Sequence, residues 1–481
     1  MTQALWTIPA SMLLLALVSW AVPSAGVTWM RRIGIVLLLA ALATQITRLW
    51  HAEDPLAAWY FVTVAVFGVF ALWYSGPYIT REASQHHWSE NRVKFYYVLL
   101  FVFLFSLLAL ALWTNLLWLW VAMEVATLSS VVLAAVPDTP AAVEAAWKYV
   151  IVTETGAMFA LLGTILALHA VASPFFSWHP TPVHRAISSA QEHWALIGAY
   201  LALVGYGAKA GLAPFHTWLP DAHSEAPAPI SALLSGLKLA GGLVIVYRLF
   251  RVVSFAVPPV YLQDALIVLG LLSLLVAAAF LAFQRDLKRL WAYSSIEHIG
   301  IISLGIGFGG IALIGAALHI WTHAASKTLL FHNAGTVRLL YHTSDSHAGA
   351  RAILHRTPWT GGMLALGAAA IVGLPPFAPF WSEWLVLAGG FHQIPDRIFV
   401  AIAAALIVVI FIAIARRVPD WLFSPGQVGQ PPKGGALAEP ASLVLPTATL
   451  GVIVLVSGVA LPIVAHPLWQ HLVGQLALVH L

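Results

Sequence analysis

There is no cysteine in this chain of 481 residues. That excludes disulfides, thiolate zinc sites and cysteine-ligated iron–sulfur clusters, and with them the usual electron-transfer centres. Charge is also scarce: 9% of the residues are Asp, Glu, Lys or Arg, against about 25% in soluble domains. The net charge is only +4 and no basic run suggests nucleic acid. What the chain has instead is apolar surface: 60% of the residues are hydrophobic and the mean hydropathy is +0.88. So few charges cannot cover a chain of this length for water, so its solvent is lipid.

A helix needs about 20 apolar residues to cross a bilayer. About fourteen runs qualify, beginning with 5–23, 33–50, 56–76, 95–113, 115–136, 145–170 and 194–218. The rest are 227–250, 261–283, 290–308, 311–340, 358–388, 397–415 and 442–465. Met1–Val22 lacks a basic start and a small-residue cleavage site, so it reads as a helix rather than a signal sequence. Alternate loops hold Arg31, Arg32, Arg81, Arg92, Lys94, Arg285, Lys288, Arg289, Arg338, Arg351, Arg356, Arg416, Arg417 and Lys433. The opposite loops hold Arg48, Arg185, Arg248, Arg251 and Arg397. By the positive-inside rule this bias puts the first set in the cytoplasm and both termini outside. The Pro/Gly-rich stretch Pro419–Pro440 reads as a cytoplasmic loop.

Against that background, the ionisable residues inside the apolar runs stand out. They are Glu124, Lys148, Glu154, Lys209, Lys238, Glu297 with His298, His319, His323 with Lys327, and Glu383. Each costs several kcal/mol in a bilayer core and must face protein or a wet cavity. One buried pair could be structural glue, but a series over seven helices is hard to explain as packing, because apolar substitutes would be cheaper. Glu124 has no charge near it in sequence and needs a cation, for which Lys209 is the natural candidate. Burial favours the neutral amine and a carboxylate partner favours the ammonium, so the pair forms a proton switch or a permanent staple between helices.

His319, His323 and Lys327 repeat at i, i+4 and share one helix face, about 6 Å apart. Three readings fit: a proton relay, a structural polar face, or metal ligation. No third metal ligand is marked in the sequence, and Lys327 opposes a cation. Two spans carry helix breakers at matching places, Gly211 and Pro214 in GLAPF, Gly373, Pro375 and Pro376 in GLPPF. Paired interrupted helices point to an inverted-repeat transport site. His216, Asp221, His223 and Glu225 flank the first break on the cytoplasmic side, as proton uptake groups or as helix caps; Glu297 and His298 are further uptake candidates. His86, His87, His342, His347 and His355 fall in predicted loops.

These residues lie in LWVAMEVATLSS, GAKAGLAPFHTWLPDAHSEAPAPISALLSG, QRDLKRLWAYSSIEHIGIISLGIG, HIWTHAASKTLLFHNAG and VGLPPFAPFWSEW. With these motifs in this order, the chain resembles the antiporter-like membrane subunits shared by respiratory complex I, Mrp-type sodium/proton antiporters and membrane-bound hydrogenases. AYSSIEHIGI looks most like the hydrogenase-4 component F branch. The resemblance implies an all-α membrane protein of about fourteen helices with two inverted five-helix repeats, each with one broken helix. Residues 1–94 would hold helices 1–3, 95–253 and 254–417 the two repeats, and 418–481 the cytoplasmic loop and last helix. Glu124 matches the family's fifth-helix carboxylate, Lys209 the lysine of the broken seventh helix, and His319, His323 and Lys327 the central relay. Glu383 matches the ionisable residue of the broken twelfth, Lys238 falls in the eighth, and Lys148 sits near the start of the sixth.

The resulting expectation is a subunit of a proton-translocating complex in the cell (inner) membrane. It would carry no cofactor, metal or redox chemistry of its own, and would work with other membrane subunits and a soluble module such as a hydrogenase. There are three alternatives, the last of a different class. They are a sodium/proton antiporter subunit, a proton-coupled helper of inorganic-carbon uptake beside a soluble zinc protein, and an anchor that merely docks redox subunits.

Overall fold

The computed structural model describes residues 3–46, 54–171, 188–393, 396–423 and 437–477. Arg48, Arg185 and Lys433, used above for orientation, lie outside the described residues, as does most of the Pro/Gly-rich stretch. The described residues are helical, with no strand among them. In lipid every backbone group must be satisfied within the chain, and a helix does this locally.

The first half contains α1 (Gln3–Ala21), α2 (Ser24–Ile46), α3 (Pro55–Gln85), α4 (Glu90–Leu112), α5 (Leu116–Ala135), α6 (Pro140–Ala170) and α7 (Ser189–Ala210). Short polar caps start them: Asp54 accepts from Ala57 N, Asn115 from Leu117 N and Trp118 N, and Thr139 from Ala142 N. Each such cap meets an amide that the first turn leaves free. After a break come α8 (Leu219–Glu225), α9 (Ala228–Leu233), a π-helical turn (Leu234–Lys238) and α10 (Leu239–Val253). Then follow α11 (Pro259–Leu281), α12 (Leu287–Phe308), α13 (Gly310–Tyr341), the short α14 (Ile353–Arg356), α15 (Pro358–Ile371), α16 (Ala378–His392), α17 (Arg397–Leu422) and α18 (Ala441–Ala477).

Nine helices among the described residues are long and apolar enough to cross a membrane. The sequence reading has more spans, and the difference has a physical cause. α7, α12 and α13 carry the histidines, lysines and glutamates that lower their hydropathy, and α15 and α16 are the halves of one interrupted run. The run Ala228–Val253 is buried throughout its apolar window, whereas Arg397–Leu422 is 28% buried there. The first is therefore enclosed by other helices, and the second presents most of its side chains outward. α13 packs against α3, α9, α12, α15, α16 and α18. It is the central post of the second half.

α6 and α7 approach closely enough for their backbones to touch. A Cβ on Gly163 would lie 2.3 Å from Ala202 N, and one on Gly205 2.3 Å from Ala160 N. In lipid, where apolar side chains gain nothing by leaving solvent, such small-residue seams are what hold helices together. Gly205 is one turn before Lys209, so this seam fixes the lysine against α6.

Arg248 and Arg251 differ from their reading as loop charges: both lie in α10 and are buried. Arg248 donates to Asp54 Oδ2 at 2.8 Å and to the carbonyls of Leu110 and Ala111 at 2.8 and 2.9 Å. It satisfies the carbonyls that α4 leaves open at its end, which explains why a charge can sit there. Arg248→Met leaves Asp54 buried without a cation and those carbonyls without this donor. The expected loss is about 3–5 kcal/mol, read as a lowered midpoint of thermal unfolding in detergent.

Candidate functional site

Both predicted breaks are present. α7 ends on Gly211, whose φ of 74° is left-handed, and α15 gives way at Gly373, with φ of 70°. A glycine suits both because a side chain is strained there. The Ala213–Pro214 and Pro375–Pro376 peptides are cis. The backbone groups freed at the first break find side-chain partners. Trp218 Nε1 donates to Ala208 O at 3.0 Å, and Ala213 N donates to Ser273 Oγ at 3.0 Å. Irregular backbone at this depth survives because protein covers it.

Directly before the first break, Lys209 is fully buried. Its ammonium lies 2.7 Å from Glu124 Oε2, 3.2 Å from Glu154 Oε1 and 3.3 Å from Thr127 Oγ1. One cation thus meets two carboxylates from α5 and α6. The sequence marks Glu154 as an ionisable residue inside α6, but nothing in its spacing shows that it reaches Lys209. Lys238, on the π-helical turn, is also fully buried and donates to Lys209 O at 3.3 Å. Its ammonium lies 4.9 Å from the Tyr149 ring and 4.8 Å from the Trp218 ring. Those rings stack on each other at 4.1 Å, so Lys238 rests on an aromatic pair that supplies cation–π attraction without a counter-ion.

A hydrogen-bonded bridge connects this half to α13. Ser235, on the same π-helical turn as Lys238, lies 2.7 Å from Ser295 Oγ on α12. Ser295 donates to Trp291 O at 2.8 Å, and so does Lys327 Nζ, also at 2.8 Å. Along α13 the rings of His319 and His323 are parallel with centroids 6.4 Å apart, the spacing of one helical turn. His298 from α12 sits against both, with centroids 5.0 Å from His319 and 5.3 Å from His323. Its Nδ1 is 2.9 Å from His319 Nε2. His319 Nδ1 in turn is 2.9 Å from Ser382 Oγ, the residue before Glu383. Neither ring nitrogen of His323 hydrogen-bonds another group among the described residues.

The uptake candidates separate. Asp221 is held near the surface by Lys148 at 3.0 Å and by Arg289 at 2.7 Å. Glu225 lies 3.9 Å from Arg338. His223 instead is fully buried, stacks on Phe331 and has no partner for either ring nitrogen among the described residues. His216 is partly exposed beside the break. Glu297 and His298 belong with His319: His298 Nε2 is 3.7 Å from Glu297 Oε2, and Ser294 Oγ is 3.4 Å from the same oxygen.

Lys148 differs from its reading as a charge within an apolar run. Its side chain is 49% exposed and also pairs with Glu144 at 2.7 Å, so it lies on the outer face of α6. An exposed pair is screened by solvent and contributes little, so Lys148→Ala should change proton uptake by no more than about twofold. Comparing initial uptake rates in vesicles checks this. Lys288, which the sequence reading assigns to a loop, is buried and donates to Ser224 O at 2.8 Å and to Ala226 O. It therefore clamps the turn between α8 and α9.

The class defined by this architecture is a multi-pass helical membrane protein with charged groups enclosed beside two interrupted helices. The sequence profile of the NADH:quinone oxidoreductase/Mrp antiporter transmembrane family matches residues 113–411, and the chain belongs to that family. It is 34% identical over 404 residues to the hydrogenase-4 component F homolog of Methylacidiphilum infernorum (isolate V4), covering 83% of each chain. It is 32% identical over 432 residues to NADH-quinone oxidoreductase subunit N of Desulforudis audaxviator (strain MP104C), covering 85% of this chain and 82% of that one. In fold it matches a chain of an archaeal membrane-bound sulfane sulfur reductase with a TM-score of 0.84 at 22% identity, covering 98% and 96%. A chain of respiratory complex I from Thermus thermophilus matches with a TM-score of 0.79 at 19% identity, covering 99% of both.

Proposed function

We propose that this chain is the proton-translocating membrane subunit of a multi-subunit energy-converting complex of the membrane-bound hydrogenase or complex I kind. The observation that carries the reading is Lys209, buried at a helix break with two carboxylates within 3.2 Å. A cation with two acceptors has two places to give its proton, and a helix break lets it move between them. Glu124, Glu154 and Lys209 form the input half. Lys238, the Ser235–Ser295 bridge and the His319–His323–Lys327 face connect it to Glu383 at the exit. His216, Asp221 and Glu225 lie on the uptake side.

Each charge crossing costs about 2.3 kcal/mol per 100 mV. We find no nucleotide loop or redox ligand in the sequence to supply it, so the driving force is read as coming from partner subunits. The finer architecture follows the same reading. Joining α7 to α8, α9 to α10 and α15 to α16 turns the helices into about fourteen spans. Residues 95–253 and 254–417 are then two inverted repeats, each with its break in the fourth helix. Both termini lie outside the cell (inner) membrane under the same assignment.

The test is proton uptake by vesicles holding the intact complex with Lys209→Ala. The expected rate is near background, and wild-type uptake sinks the assignment. Uptake that requires sodium would instead mark an antiporter subunit.

A further inference from the structure

We propose that His298, His319 and Glu383 form a binding site for a divalent transition-metal ion of the Zn2+ class. All three are buried, and one ligand atom from each lies within 4.8 Å of the others. His298 Nδ1 and His319 Nε2 are already 2.9 Å apart. A tetrahedral zinc ion with bonds near 2.0–2.2 Å holds its ligand atoms about 3.3 Å apart. The imidazoles therefore need only open slightly, and the Glu383 side chain needs a modest swing. Two imidazoles and a carboxylate suit a borderline metal, whereas magnesium and calcium prefer oxygen alone.

The surroundings are those of a ligand set. The other nitrogen of His319 is held by Ser382 Oγ at 2.9 Å, and Ser382 is 3.3 Å from Thr322 Oγ1. The other nitrogen of His298 faces Glu297 at 3.7 Å. His319 is thus oriented as metal-binding histidines are, by a hydrogen bond on the ring's far side, whereas His298 Nε2 makes no hydrogen bond among the described residues. Glu383 is cradled by Gly373, where a Cβ would come within 2.6 Å of Oε2. Two carboxylates, Glu297 and Glu383, balance a divalent charge. Lys327, which opposes a cation in the sequence reading, lies two turns from His319 on α13, and its ammonium is held by Trp291 O at 2.8 Å. The sequence alone marks no third ligand for the α13 histidines. Here α12 and α16 supply one each, and His323 is not needed.

The hydrogen bond between His298 and His319 carries a proton that a metal must displace to occupy both lone pairs. That metal occupancy blocks proton transfer at this point rests on the proposed function; the binding itself does not.

The experiment is a Co2+ titration of the full chain in nanodiscs, followed by visible absorption. Wild type is expected to bind one Co2+ with the intense ligand-field bands of a four-coordinate site, reversed by Zn2+. His298→Ala and the near-isosteric Glu383→Gln should weaken binding by more than about tenfold, and Ser382→Ala by about tenfold. His332→Gln, at an equally buried histidine of α13, should leave it unchanged. A wild-type spectrum of six-coordinate Co2+ alone overturns the site. So does binding that survives either His298→Ala or Glu383→Gln, or that His332→Gln also removes. If Glu383→Gln abolishes proton uptake but not Co2+ binding, the proposed function stands and this site fails; if Co2+ binding is lost in Glu383→Gln while Lys209→Ala keeps wild-type uptake, the site stands and the proposed function fails.

Discussion

A leucine at Gly205 is expected to abolish proton uptake and to leave little assembled chain in the membrane. Even a bare Cβ there would meet Ala160 N at 2.3 Å and Gly156 O at 2.4 Å. These are backbone atoms of α6, so no side chain can turn aside. Overpacking by a methylene or two costs about 1–3 kcal/mol in a core that can adjust, and this seam cannot adjust without parting the helices. Parting them moves Lys209, one turn on, away from Glu154. The control is Gly362→Leu, a glycine with nothing within 4 Å of its Cβ position. The yield of monodisperse protein after extraction separates the two: low for Gly205→Leu and near wild type for Gly362→Leu.

The second large effect is expected from removing both carboxylates that face Lys209. Either Glu124→Gln or Glu154→Gln alone leaves the lysine one ionic partner, at 3.2 or 2.7 Å. The double variant leaves it buried with none. A cation stranded in this way costs about 3–5 kcal/mol, and no carboxylate is left to take its proton. At 1.4 kcal/mol per factor of ten, uptake in the double variant should fall at least about 100-fold. Each single variant should fall much less. Initial uptake rates of the four proteins close a double-mutant cycle; strict additivity of the two single effects would show that the carboxylates do not share the lysine.

The parts of this molecule that are legible in sequence are those set by local chemistry. The Gly211 and Pro214 motif predicts a break because glycine tolerates a left-handed φ and proline ends the ladder, and α7 stops there. The i, i+4 repeat of His319, His323 and Lys327 predicts one face, and the parallel rings lie on it. What sequence does not carry is the meeting of distant helices. His298 follows an acidic residue in a motif that gives no distance to His319, yet the two rings touch through 2.9 Å. Tyr149 and Trp218 are 69 positions apart in the chain, and only packing makes them a platform for Lys238. Arg248 differs from its sequence reading for a related reason. Hydropathy treats an arginine near a span's end as loop, and cannot see the buried Asp54 and open carbonyls that draw it inside. Lys148 errs the other way, because an apolar run does not say which face a lysine takes.

The central claim is that Lys209 moves protons rather than merely fastening helices. Its most direct test is the ratio of protons taken up to turnovers of the intact complex, measured together in the same vesicles with Lys209→Ala. The account predicts a ratio that falls while turnover continues. A ratio equal to wild type, with the variant folded and assembled, would contradict it.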